Sequence, residues 1–435
     1  MAKARDQQRA LLFACTAGIL LSCRKDGDST PPLVTIIAPV DGAMLQVPQS
    51  FLVRVQVQDD HLVESVGFTL LNADHLAIAS DGGQVGEPSA LVERYLSVED
   101  ERWPSGPVTL IVRASDGTTE TRAYVHMQLT AAPLRLKAVF AIGGSGPLQV
   151  QRIDSTYQVT QWTFLAQDFG GMALSSNDQR LVIAGSVSGP ITSVDVNTAG
   201  VAWQIANTNN DPQSWITALD HPRNGPMLTS FRSGAITGYH AATGSVAFTT
   251  YAMPDHESRR ATIIEDQLIS DQIDPNAGTR RLVRYQASSG ALIGSTGSDL
   301  TVRYFSSLGD GWMLLFGNRS GDGVVQAHRL DLSANWEPRV FPGEPVVDAV
   351  GTSTGVVVMA LPDRLVRYTY ADNGAVTIAT GIAASSICYD AANGELLALD
   401  GQTIVRLDPT TGTTLGGISL LGSANHIGAL FNREP

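Results

Sequence analysis

Asp255, His256 and Glu257 are adjacent in this sequence, and side chains of these types could bind a metal ion. Carboxylate oxygens and imidazole nitrogens are common metal ligands. In an extended loop, however, consecutive side chains point in different directions, so three neighbours do not converge on one ion. The eight histidines include no His-Glu-x-x-His pair. We therefore expect a solvated polar loop here and no metal site.

Two polar segments supply the best candidates for a ligand-binding surface. Residues 207–215 are rich in Asn and Asp and end in a tryptophan, and residues 253–260 contain the acidic cluster and two arginines. An exposed tryptophan offers a large apolar face and an N–H donor, although packing between elements is the alternative for such a ring. We expect the ligand contacts to come from five residues of these segments: Trp215, Asp211, Asp255, His256 and Arg259.

Enzyme motifs identify no catalytic site in this sequence. It has no phosphate-binding loop. Residues 271–278 and 318–323 carry several oxygen ligands, but neither has the spacing of an EF-hand calcium loop. Their Asp, Asn and Gly residues are typical turn formers. A carboxylate pair for glycoside hydrolysis depends on spatial separation, which a sequence does not contain. We therefore expect no catalytic residue and no enzymatic activity.

The first 23 residues have the order of a secretory signal. Basic residues stand at positions 3, 5 and 9, an apolar run covers 10–21, and Leu-Leu-Ser-Cys ends at Cys23. The apolar run is too short to span a bilayer. This segment resembles the lipobox of bacterial lipoproteins, which implies a signal peptide over 1–22, lipidation of Cys23 and a tether over 23–32. A buried N-terminal helix or a plain signal anchor is the alternative.

The residues that follow Cys23, Arg-Lys-Asp-Gly-Asp, resemble the export signal of Bacteroidota surface lipoproteins. Together with the lipobox, this resemblance implies a cell-envelope protein attached to the outer membrane, on its surface or periplasmic side. The lipid anchor would be its only contact with the membrane.

The net charge excludes some classes of partner, and the cysteine count limits the possible disulfides. The 435 residues carry a formal net charge of −13, which argues against nucleic acid and against electrostatic docking on anionic lipid. Of the three cysteines, Cys15 leaves with the signal and Cys23 takes the lipid, so Cys388 remains alone. The mature chain then has no intramolecular disulfide, and we expect a monomer.

The first predicted domain covers residues 33–132. Residues 51–58 alternate apolar and mostly polar side chains, as do residues 108–114, which is typical of half-buried strands. The opening strand at 35–42 and the hairpin around 106–117 resemble bacterial immunoglobulin-like domains, without their antibody-type Cys-Trp-Cys framework. We expect an Ig-like β-sandwich of six or seven short strands.

From residue 134 onward a repeat determines the fold. A turn that ends in Gly or Asn follows a strand-like segment at positions 200, 244, 290, 335, 374 and 412, which are 38 to 46 residues apart. That period matches the four-stranded blades of a β-propeller, and a parallel β-helix would have a shorter repeat.

The repeat also predicts how the ring closes. Six full blades start near residues 169, 214, 259, 300, 345 and 383. Residues 135–165 supply only three strands of a further blade, and residues 426–431 supply one strand at the far end. Joining these two segments completes a seventh blade and leaves no open edge. We therefore expect an all-β chain, with an Ig-like β-sandwich followed by a seven-bladed β-propeller over 134–432.

The Asp-x-x-Thr-Gly turn at 408–412 resembles the repeat of quinoprotein-like, PQQ-type propellers. Quinone-binding members need a vicinal Cys-Cys pair or an equivalent clamp, and this chain has no Cys-Cys, so we expect no cofactor. The lipobox and repeat together also resemble the propeller lipoprotein of outer-membrane barrel assembly, which lacks an inserted Ig-like domain.

These observations favour a non-enzymatic envelope lipoprotein. We expect the Ig-like domain to act as a spacer and one face of the propeller to bind a protein or a glycan. A propeller enzyme, such as a lyase, hydrolase or quinoprotein, would instead need ionisable groups that converge in the central funnel with shifted pKa values. An envelope-assembly scaffold would need a broad binding face without a deep polar funnel.

Overall fold

The computed structural model describes residues 30–144, 146–187, 189–207, 211–212, 215–222 and 225–432. The predicted signal peptide and Cys23 lie outside these residues. The described elements are all β-strands, which confirms the predicted all-β class. Among them we find no helix with the length and apolar character that crossing a membrane requires. The chain divides into two compact units between Pro133 and Leu134.

The first unit is one hydrogen-bonded system of six strands. These are β1 (Leu33–Ala38), β2 (Met44–Gln46), β3 (Gln49–Leu71), β4 (Ala77–Val98), β5 (Gly106–Ser115) and β6 (Glu120–Thr130). The strand order is β1-β3-β5-β6-β2, with β4 also paired to β3. Two of the strands, β3 and β4, have 23 and 22 residues and are therefore much longer than the short strands predicted.

The long strand β3 serves both halves of this unit because it bends. Its first half pairs with β1 and its second half with β5, and the register shifts between Gln58 and Val63. At the bend, the carboxylate of Asp59 accepts hydrogen bonds from the backbone N–H groups of His61 and Leu62, at 2.8 and 3.1 Å. Alternate residues on either side of the bend are buried, so both halves face the same core: Val53, Val55, Val57, Val66, Phe68 and Leu70.

The described part of the second unit forms seven four-stranded antiparallel sheets. The first three strands are β7 (Arg135–Gly143), β8 (Leu148–Asp154) and β9 (Val159–Leu165). The next two sheets are β10 (Gly171–Ser175), β11 (Arg180–Ala184), β12 (Ile191–Asp195) and β13 (Val201–Ile205), then β14 (Ile216–Asp220), β15 (Met227–Phe231), β16 (Ala235–Tyr239) and β17 (Val246–Tyr251).

Two further sheets are β18 (Glu257–Ile264), β19 (Gln267–Ile273), β20 (Arg280–Gln286) and β21 (Leu292–Ser298), then β22 (Thr301–Gly309), β23 (Trp312–Arg319), β24 (Asp322–Arg329) and β25 (Asn335–Phe341). The last two consecutive sheets are β26 (Asp348–Ser353), β27 (Val356–Ala360), β28 (Arg364–Thr369) and β29 (Gly374–Thr380), then β30 (Ser386–Asp390), β31 (Glu395–Asp400), β32 (Thr403–Leu407) and β33 (Thr414–Ser419). The final strand is β34 (His426–Asn432).

The first strands of the sheets surround a common axis. Each of β10, β14, β18, β22, β26 and β30 contacts the first strand of the next sheet, and β34 contacts both β30 and β10. The contacts therefore form a closed circuit, with each sheet extending outward from it. Radial four-stranded sheets around a closed ring define a β-propeller.

One sheet contains both ends of this unit, since its strand order is β34-β7-β8-β9. In the antiparallel register of β34 and β7, His426 lies opposite Ile142 and Asn432 opposite Arg135. Hydrophobic clusters lie between adjacent sheets, for example where Phe140 and Ile142 pack against Leu181 and Ile183. The core is therefore divided into layers between sheets, with no single centre.

The repeated turn has a local chemical cause. The carboxylate of Asp408 accepts hydrogen bonds from the N–H groups of Thr410 and Thr411, at 2.8 and 2.7 Å. Gly412 then adopts a φ of +73°, a conformation that favours glycine. A Cβ at this position would also collide with the carbonyl group of Ile378 in the neighbouring sheet. The glycine is therefore required by the turn and by the close approach of the sheets.

Candidate functional site

The central feature of the ring is a cavity of about 550 Å³, lined by residues in or next to the first strand of every sheet and by Arg280 of β20. Because all these strands begin at this cavity, it opens on the face where each sheet connects to the next. Its polar lining is largely ionisable: Asp220, Arg259, Arg260, Arg280, Arg303, Asp348 and His426. We call this cavity the funnel.

A chain of contacts links one wall of the funnel to the predicted tryptophan. The guanidinium of Arg259 lies 2.6 Å from one carboxylate oxygen of Glu257, and Arg232 binds the other at 3.0 Å. Arg232 also lies over the ring of Trp215, 5.3 Å from its centroid, in a cation–π contact. Glu257 is buried between the two arginines, so the predicted solvated loop is wrong at this residue, whereas Asp255 is exposed.

The five predicted ligand residues occupy different positions around this face. Arg259 lines the funnel, while Trp215 is half-buried beneath Arg232. Asp255 is exposed at a φ of 62°, and the half-buried His256 has its Nδ1 2.8 Å from the carbonyl oxygen of Pro254. Asp211 is exposed in the segment that precedes β14. The structure thus connects Trp215 to Arg259 and leaves the other three outside the funnel lining.

Asp220 and Arg260 form the second charged wall. The Nε atom of Arg260 lies 3.5 Å from Oδ2 of Asp220, and this buried oxygen accepts no hydrogen bond within the described residues. Burial raises the pKa of Asp220, and the positive charge of Arg260 opposes that shift. The carboxylate thus faces the cation of Arg260, and its Oδ2 atom can still accept a hydrogen bond.

His426 and Asp348 lie on the side of the ring closed by β34. The carboxylate of Asp348 accepts hydrogen bonds from the N–H groups of Ala349 and Ile387, each at 2.9 Å. The imidazole of His426 lies with its Nδ1 3.2 Å from the hydroxyl of Ser386. Burial lowers the pKa of His426, although the nearby carboxylates of Asp348 and Asp220 act in the opposite direction. Burial therefore favours the neutral form of this imidazole.

A third pair lies behind the funnel wall. Asp271 is 1% exposed and accepts hydrogen bonds from Arg280 at 2.9 Å and from the N–H of Val302 at 3.3 Å. Burial raises the pKa of Asp271 to about 6 despite the adjacent guanidinium. The pair fixes Arg280 at the cavity and holds the start of β22, where the exposed Arg303 follows.

Sequence reasoning missed Asp220, Asp348, His426 and Arg303. Each stands at or near the first or last position of a short strand, in a different repeat. The repeats of the sequence could have indicated this cluster. When they are aligned on the first strand of each sheet, these charged residues are placed around one axis. Scanning for clusters along the chain does not detect it, since the residues belong to separate sheets.

One group of metal-type side chains occurs within the described residues, and it lies in the first unit. Ligand atoms of Asp59, Asp60 and His61 lie within 4.8 Å of one another. One oxygen of Asp59 is already used by the backbone of the bend, and Asp60 contacts the ring of His61 at 3.1 Å. These contacts explain the group as part of the bend in β3.

Comparisons with known proteins show the fold and no family. No protein-family model matches the chain, and no curated protein matches it. A protein from Lactobacillus plantarum is 13% identical, with a TM-score of 0.51 over 68% of this chain and 99% of its own, so the two share a fold. A quinoprotein alcohol dehydrogenase-like protein from Bacteroides thetaiotaomicron VPI-5482 is 11% identical, with a TM-score of 0.48 over 91% of this chain and 98% of its own. BamB from Moraxella catarrhalis is 15% identical, with a TM-score of 0.40 over 57% of this chain and 74% of its own.

Proposed function

We propose that this protein is a lipid-anchored lipoprotein of the bacterial outer membrane whose seven-bladed, quinoprotein-like propeller binds a protein or glycan partner. The lipobox pattern at Cys23 supports the anchor and the envelope location. The first unit, interpreted as an Ig-like domain, would be the spacer between the anchor and the propeller. The propeller acts as a monomer in this proposal.

The funnel is the observation that carries the proposed binding role. Concave sites with a few convergent polar groups are where ligands generally bind, and this cavity of about 550 Å³ is of that kind. The contacts from Arg259 through Glu257 and Arg232 to Trp215 extend the site outward from the funnel. A partner therefore has a pocket to enter and an aromatic rim to contact.

A propeller enzyme is the second candidate, and the same funnel favours it. Asp220 and His426 are ionisable groups whose pKa values are shifted by burial, which is common at catalytic sites. These groups could exchange protons with a bound molecule. An envelope-assembly scaffold is supported less, because that role predicted a broad face without a deep polar funnel.

Partner capture tests the proposed function. The full-length protein is used to capture partners from envelope extracts, with Trp215→Ala as the variant and Trp336→Ala as the control. Trp336 is 44% exposed on the outer strand β25, away from the funnel lining. If Trp215 is a binding hot spot, its loss weakens binding by about 2 kcal/mol.

Thermal melts of both variants separate binding from folding, because Trp215 is also half-buried. Capture that falls for Trp215→Ala by more than its melt explains, with the Trp336→Ala protein unchanged, supports the proposal. Equal capture by all three proteins would place the site elsewhere.

A further inference from the structure

Arg303 differs from the other three arginines of the funnel because it has no partner within the described residues. Arg259 is paired with Glu257, Arg260 faces Asp220, and Arg280 binds Asp271. Arg303 is exposed at the start of β22 and makes no ion pair or hydrogen bond there. It lines the cavity and is thus available to a ligand.

Within the described residues, Arg303 supplies the positive charge of the funnel lining that no carboxylate balances, because the other three arginines each face a carboxylate. The planar guanidinium binds carboxylates through two parallel hydrogen bonds, which adds geometric selectivity. The funnel is therefore suited to an anion.

Whereas Arg303 can bind an anionic group, Asp220 can bind a hydrogen-bond donor. Its buried Oδ2 accepts no hydrogen bond, and a buried acceptor left in this state is costly. A hydroxyl group of a ligand could donate to this oxygen. Sulfate has no such donor at neutral pH, and a neutral sugar has no anionic group for Arg303. A ligand that satisfies both residues carries a carboxylate and hydroxyl groups together.

We propose that the funnel binds a sugar acid, with the carboxylate of a hexuronate residue on Arg303 and one of its hydroxyl groups donating to Asp220. The cavity of about 550 Å³ is within the range of small-ligand sites. This inference rests on the proposed function, since it names the ligand of the same face of the propeller.

Titration calorimetry with the full chain tests the inference. The probes are trigalacturonate, the neutral maltotriose, the acidic peptide triglutamate, and inorganic sulfate. The key variant is Arg303→Gln, and the matched control is Arg339→Gln, because Arg339 is an exposed arginine on β25, the outer strand of the same sheet. Both variants remove one positive charge, but only the first removes it from the funnel.

We expect the wild-type protein to bind trigalacturonate and to bind maltotriose, triglutamate and sulfate at least tenfold more weakly. Arg303→Gln should weaken trigalacturonate binding at least tenfold. Arg303→Lys should recover part of the affinity, because lysine restores the positive charge but not the two parallel hydrogen bonds of the guanidinium. Asp220→Asn should weaken binding with an unchanged melting curve. Arg339→Gln should bind as the wild type does.

Several results would overturn the inference. These are equal binding of maltotriose, equal or tighter binding of triglutamate or sulfate, equal effects of the Arg303 and Arg339 variants, or no binding of trigalacturonate. Capture of a partner that depends on Trp215, together with any of these results, would leave the proposed function standing. Loss of both would remove the binding role of this face altogether.

Discussion

The guanidinium of Arg406 lies over the ring of Tyr157, 3.8 Å from its centroid. Glu395 completes the contact, because it receives two hydrogen bonds from Arg406 at 2.7 Å and one from the hydroxyl of Tyr157 at 3.0 Å. Tyr157 belongs to the turn between β8 and β9, whereas Glu395 and Arg406 belong to β31 and β32. The three side chains thus join the sheet completed by β34 to the sheet before it.

Replacing Arg406 with alanine should therefore destabilise the ring at its junction. The variant loses the cation–π contact and leaves Glu395, which is 13% exposed, without its cation. We expect the free energy of unfolding to fall by about 3 kcal/mol, measured by urea denaturation. Tyr157→Phe, which removes one hydrogen bond and keeps the ring, should cost about 1 kcal/mol. Similar stability for Arg406→Ala and wild type would contradict a structural role for the contact.

His328 should make stability depend on pH. It is 3% exposed in β24, and burial lowers its pKa to about 4. Between this value and its unfolded pKa of about 6.5, the unfolded chain binds more protons, so stability is complete above pH 6.5 and falls as pH drops towards 4. We expect wild type to lose about 2 kcal/mol more than His328→Gln between pH 7.5 and pH 5. Parallel losses in urea titrations at the two pH values would show that His328 is not the cause.

Removal of residues 424–435 should open the ring. The deletion takes away β34 and exposes the edge of β7, with the buried side chains of Ile427 and Leu430 lost from the core. We expect the free energy of unfolding to fall by several kcal/mol, which is comparable to the total free energy of unfolding of a typical domain. Circular dichroism melts of the second unit, with and without the strand, measure this. An unchanged melting curve would show that closure by β34 is dispensable.

Cys23→Ala should release the protein from the membrane. The lipobox interpretation makes this cysteine the lipidation site, so the variant would lack the acyl chains that hold the protein at the membrane. Membrane fractionation combined with metabolic acyl labelling checks the outcome. An unlabelled wild-type protein, together with a variant that stays in the membrane pellet, would refute the lipoprotein interpretation.

The sequence was informative where structure depends on neighbours along the chain. Asp408 and Gly412 form their turn through local hydrogen bonds and backbone conformation, so the repeat predicted an all-β chain of four-stranded units. The expected blade starts lie within three residues of the observed first strands. The length of β3 was not predicted, because polar residues at the bend, including Asp59, have the pattern of a turn between two strands.

The funnel could not be predicted in the same way. Asp220, Arg303 and His426 come from three different sheets and meet only when the ring closes. Their pKa shifts depend on burial, which is a property of the assembled ring. Trp215 and Arg259 were predicted as ligand contacts because of their residue types and their positions in polar segments. The contacts between them run through Arg232, and nothing in the sequence around Arg232 indicates this role.

The pairing of β34 with β7 also determines the order in which the propeller can be completed. The edge of β7 has no hydrogen-bonding partner until the last strand of the unit has been made, so the sheet begun first is finished last. Because Arg135 and Asn432 are opposite each other in that pairing, the two ends of the unit are adjacent. A circular permutation that joins them with a short linker, and opens the chain at an exposed turn elsewhere, should preserve the same ring while moving the late-forming sheet to another position.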